Sequence, residues 1–60
     1  MAEDYHLEIV KETDRAILVS DGDTKAWLPK SQIETTEQIV VGKTMTITVP
    51  DWLAEEAGLA

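Results

Sequence analysis

Between residues 5 and 12, Tyr5, Leu7 and Ile9 fall on one side of an extended chain, with His6, Glu8 and Val10 on the other. That period of two is the signature of a strand with one buried face. "TDR" follows as a turn, and "AILVS", 16–20, is a continuous apolar run of strand length, as expected of a strand inside the sheet rather than at its rim. Asp21-Gly22 then separates this run from "TKAWL", 24–28, and predicts a hairpin with a type I′ turn, whose two central residues both need positive φ. Pro29 holds Leu28 extended and ends the strand. "PKSQIE" fits one short helical or 3-10 turn with Pro29 at its start.

The second half carries one weak strand pattern, Gln38 to Val41, closed by a Gly42-Lys43 turn, and one strong one. In "TMTITV", 44–49, Met45, Ile47 and Val49 point one way and three threonines the other, which suits a strand with an exposed β-branched face. "PDWLAEEAGLA" predicts a short helix with Asp51 as N-cap and Gly58 just past its end, where Leu59 can fold back on Leu53 or Ala54. A helix of some seven residues does not hold in water alone, so Trp52, Leu53 and Ala57 are expected to pack on the sheet. Four to five short strands and one helix are too few for two sheet layers. The expected fold is mainly β: a small OB-like or SH3-like barrel closed by the C-terminal helix.

Composition narrows this picture. Sixty residues make a single domain, 1–60, with a thin core. With no cysteine, neither a disulfide nor a thiolate metal site can reinforce it. No apolar run approaches the roughly 18 residues of a membrane span, and "MAEDYH" is not a signal peptide, so a cytoplasmic location is expected and no membrane contact. Twelve acidic residues against five basic ones give a net charge of −7. Such a balance argues against general nucleic-acid binding, which needs a basic surface, and favours a basic protein partner.

Across "AILVSDGDTKAWLPKSQIE" and "VGKTMTITV" the chain resembles the S1-type OB-fold domain of ribosomal and RNA-decay proteins. Ala26, Trp27, Leu28, Pro29, Ser31, Gln32 and Ile33 sit on that domain's signature, and the likeness spans about residues 16–49. It implies a small β-barrel. It departs from the pattern at Ala26, where the signature has glycine, and at Pro29, where it often has a base-stacking histidine. "DWLAEEAGLA" stands in place of the fifth strand. The whole chain is also similar to small bacterial and phage proteins with a "WLPKSQ" segment and a "PxWLAxxxGL" ending, which implies a phage source.

Candidate chemistry is sparse. His6 is the sole histidine, and no spacing joins it to Ser20, Ser31 or a carboxylate, so no catalytic residue is assigned and no enzyme activity is expected. Asp14, Asp21 and Asp23 offer oxygen ligands but lack the acidic ladder of a calcium loop, and turn chemistry accounts for them; no metal or cofactor is expected. With Ala26 and Leu28 turned inward, Trp27 faces out beside Lys25. Exposed tryptophans are frequent interface hot spots. The expected function is therefore a non-enzymatic protein-interaction module using Trp27, Lys25, Lys30 and Trp52, with partner identity and monomer-or-dimer state left open. The alternative is an acidic nucleic-acid mimic, of the kind that inhibits host defence complexes, presenting Asp21, Asp23, Glu34, Glu37, Glu55 and Glu56. A weak single-strand binder is the third reading.

Overall fold

The computed structural model describes residues 2–59. Five strands form one antiparallel sheet: β1 (Ala2–Glu12), β2 (Ala16–Ser20), β3 (Lys25–Pro29), β4 (Glu34–Thr35) and β5 (Thr44–Pro50), in the order β3-β2-β1-β5-β4. A 3-10 turn covers Lys30–Gln32, and the helix α1 covers Asp51–Ala57. β3 and β4 lie at opposite edges of the sheet, yet only residues 30–33 join them. In a flat sheet the two edges would stand roughly 19 Å apart, four spacings of about 4.8 Å. A link of this length, much of it wound at about 2 Å per residue, reaches only about 13 Å. The sheet must therefore curl, and the result is an OB-like barrel rather than a flat layer.

Alternation fills its interior. Leu7 and Ile9 of β1, Ile17 and Val19 of β2, Leu28 of β3, and Met45, Ile47 and Val49 of β5 are all buried, with Ile33 from the link. The helix adds Leu53 and Ala54 and packs on β3 and β5. Tyr5 lies partly buried against this core, and its phenol is pushed above its usual pKa by that desolvation and then by the carboxylates of Glu3, Asp51 and Glu55. On the other side of β5 the threonines are not merely exposed. Thr48 donates to Asp4 Oδ1 at 2.7 Å, and Thr46 shares a 3.1 Å hydrogen bond with His6 Nδ1, tying β5 to β1.

Four local expectations are corrected. The β2–β3 turn is not type I′, because only Gly22 has positive φ and the loop spans Asp21 to Thr24. Its organiser is the Asp21 carboxylate, which accepts from the backbone N–H groups of Asp23 (2.9 Å) and Thr24 (2.7 Å), beside the backbone bond from Asp21 N–H to Thr24 O at 3.1 Å. Gln38 to Val41 form no strand; the short β4 lies earlier, at Glu34–Thr35, and a Glu37–Lys43 ion pair at 2.8 Å closes the loop. Asp51 is the first helical residue rather than the cap: Pro50 holds that place, extended, without a side-chain hydrogen bond. Finally, Trp52 does not pack inward. Leu53 and Ala54 take the buried face, and Trp52 stays 53% exposed.

The helix ends as its sequence indicates. Gly58 adopts φ +81°, Leu59 N–H donates to Ala54 O at 2.8 Å, and Gly58 N–H donates to Glu55 O, the paired bonds of a Schellman motif.

The Asp21 bonds carry a pH signature. Donation from Thr24 and then Asp23 holds its carboxyl below the usual aspartate value of 3.8. A folded-state value that is depressed contributes stability above the unfolded value and loses it as pH falls through the folded one. Acid titration should therefore show part of its destabilisation beginning near pH 3.8 and continuing below it. Asp21→Asn, which keeps the Oδ1 acceptor but does not ionise, should flatten that limb in urea melts taken at several pH values. An acid limb identical in the two proteins would refute the assignment.

Candidate nucleic-acid interface

Cross-strand register builds the outer face opposite the core. Lys11 of β1 pairs with Leu18 of β2, and Leu18 pairs with Trp27 of β3, giving one row across three strands. The next row is Glu8, Ser20 and Lys25. Lys11 reaches this face through an irregularity. Inward alternation at Tyr5, Leu7 and Ile9 would carry Lys11 into the core, but the register shifts between Ile9 and Lys11 so that Val10 is the extra residue. Such a bulge also bends and twists its strand. It comes where β1 makes its last contacts on the β5 side: Ile9 N–H donates to Lys43 O at 2.9 Å, and Ile9 O accepts from Gly42 N–H at 2.7 Å.

Trp27 stands at the edge-strand end of its row, 50% exposed. Beside it, a groove of about 570 Å³ runs between β3 and α1. Lys25, Ala26, Trp27 and Pro29 form one wall, and Trp52, Leu53, Glu56 and Ala57 the other. β3 is the sheet's edge, and no strand among the described residues pairs with its second side. The structure thus brings Trp27, Lys25 and Trp52 together. Lys30 lines no part of the groove; its Nζ sits 2.8 Å from Glu12 Oε2.

The six carboxylates considered as a mimic surface come from separate elements. Asp21 and Asp23 lie in the β2–β3 loop, Glu34 on β4, Glu37 in the β4–β5 loop, and Glu55 and Glu56 on α1. Two of these groups are engaged. Backbone N–H groups hold Asp21, and the Lys43 hydrogen bond and charge keep the Glu37 carboxyl below its usual pKa.

Net charge conceals how unevenly the charges are spread. Residues 11–30 hold Lys11, Arg15, Lys25 and Lys30 against Glu12, Asp14, Asp21 and Asp23, so as a set they are neutral. The whole −7 therefore comes from the rest of the chain. Sequence reasoning missed Leu18 as the neighbour of Trp27 and Lys11 as the next member of its row. The available signal was the conflict at Lys11, a charged residue on the buried phase of an alternating strand, which only a bulge resolves.

Compared with known proteins, residues 5–49 match the family model of the S1 domain, three quarters of the chain. Comparison with curated proteins and with solved structures gives no match. α1, with Trp52 and Glu56, lies beyond the matched residues.

Proposed function

The chain belongs to the S1 domain family, and from that premise we propose that it is a non-enzymatic cytoplasmic protein that binds single-stranded nucleic acid weakly, through the outer face of β2 and β3. The observation that carries this reading is Trp27, half-exposed on the edge strand of that face, with Lys25 two residues along β3 and Lys11 in the same cross-strand row beyond Leu18. OB barrels bind oligonucleotides on this face and on the β1–β2 loop, which here holds Arg15. Non-specific single-strand binding needs little more than an aromatic platform for base stacking and cations tracking the phosphates. The acidic remainder of the chain limits affinity by repelling the strand at long range, and screening acts within about 10 Å at 0.1 M salt.

Few cations make a firm prediction. Each neutralised phosphate contributes about −0.7 to the slope of log K against log salt for single strands. With Lys11, Arg15 and Lys25 on or beside the face, the slope for a labelled RNA oligonucleotide should be no steeper than about −2. Lys25→Ala should lessen it by about 0.7. Absence of any RNA or DNA binding at low salt would end this reading.

A second reading, capture of a protein partner, draws support from Trp52. Two half-exposed tryptophans on one groove are the residue type that dominates interface energetics. Under it, affinity capture from a lysate would recover a partner that the Trp27→Ala protein does not, with no nucleic acid required.

A further inference from the structure

We infer that the groove between β3 and α1 is a guanine-selective subsite, which takes one base of the bound strand against Trp27 and Trp52, its Watson–Crick edge toward Glu56 and its phosphate toward Lys25. The inference rests on the single-strand reading above and adds a base preference to it.

Three features of the groove support it. First, its volume of about 570 Å³ lies within the range of roughly 300–1,000 Å³ typical of small-ligand sites. No strand of the described chain occupies the open side of β3. Second, each wall contributes an indole that is about half exposed, Trp27 from the sheet and Trp52 from the helix. Aromatic rings of this kind offer stacking surfaces to any base. Third, the groove's polar groups are of two complementary kinds. Lys25 supplies an ammonium with three donors, suited to a phosphate, and Glu56 supplies a carboxylate that only accepts.

Glu56 turns a general platform into a selective one. The Watson–Crick edge of guanine presents two adjacent donors, N1–H and the N2 amino group, which both carboxylate oxygens can accept together. Adenine, cytosine and uracil each place an acceptor next to their donor on that edge, so a carboxylate meeting them gains one bond and suffers one repulsion. Because α1 lies outside the residues matched to the family, this wall is an addition of this chain to the common barrel face.

The test is fluorescence anisotropy with labelled UUGUU, UUAUU, UUCUU and UUUUU at low salt, on the full chain and on Glu56→Gln, Trp52→Ala and Trp27→Ala. Wild type should prefer UUGUU over UUUUU by about tenfold, as expected of a bidentate contact. Glu56→Gln should bring that ratio within about twofold while leaving UUUUU binding intact or improved, since a repulsive charge is gone. Trp52→Ala should weaken UUGUU. Trp52→Phe, which keeps a ring, should restore most of it and guard against a folding artefact. A guanine ratio near one in wild type, or an unchanged ratio in Glu56→Gln, overturns the subsite. In that event, continued binding of UUUUU that Trp27→Ala abolishes leaves the single-strand reading standing. Failure of all four oligonucleotides to bind overturns both.

Discussion

Shortening Ile47 to alanine is expected to leave the domain mostly unfolded at room temperature. Ile47 is fully buried on β5, a strand paired on both sides, and it sits opposite Tyr5 of β1 and Thr35 of β4. Removing so much of a buried aliphatic side chain costs about 2–5 kcal/mol, from lost burial and from the cavity left behind. A core of this size seldom supplies more than about 3–5 kcal/mol in all. No disulfide offsets the loss, the chain having no cysteine. Far-UV circular dichroism and urea titration would measure the effect. Ile47→Val, at about 0.5–1.5 kcal/mol, should stay folded with a lower midpoint. An alanine variant melting within a few degrees of wild type would mean that the barrel is not organised around β5.

Trp27→Ala should act in the opposite way, sparing the fold and removing the binding. Its indole is half outside the protein, and its loss from the row with Leu18 costs only about 0.2–1 kcal/mol of cross-strand contact. Stacking of a base on an aromatic ring is worth about 1–3 kcal/mol. With a factor of ten per roughly 1.4 kcal/mol, affinity for a single strand should fall about 5- to 150-fold. Paired melting curves and RNA titrations separate the two effects. Equal affinity in wild type and variant would move the binding surface elsewhere, and a collapsed melting transition would make Trp27 a structural residue.

Strands with one buried face were the legible part of this chain. Tyr5, Leu7 and Ile9, then Met45, Ile47 and Val49, alternate because one side of each strand meets the core, and that demand is written residue by residue. The 3-10 turn after Pro29 and the glycine ending of α1 were readable for a different reason: proline and glycine restrict or permit backbone angles locally. What failed to be legible depends on partners distant in sequence. β4 has two residues and exists because Glu34 and Thr35 find Thr48 and Ile47. The apolar Val40 and Val41 suggest a strand but find no ladder and remain exposed. At the site, Lys25 and Trp27 share a face by simple alternation. Their meeting with Trp52 and Glu56 required knowing where the helix lands, and the arrival of Lys11 required the bulge.

The open side of β3 has a further meaning. A strand with one unpaired edge is a template on which another chain can add itself, and proteins that remain separate in crowded solution obstruct such edges. Here the obstruction comes from three directions: the charged Lys25 at one end of the strand, Pro29 without a donor at the other, and α1 packed against it. The groove is thus also what a seven-residue helix leaves behind when it guards a sheet edge without pairing to it. The same guard that keeps one molecule from extending the sheet of the next leaves enough room beside β3 for something thinner than a strand.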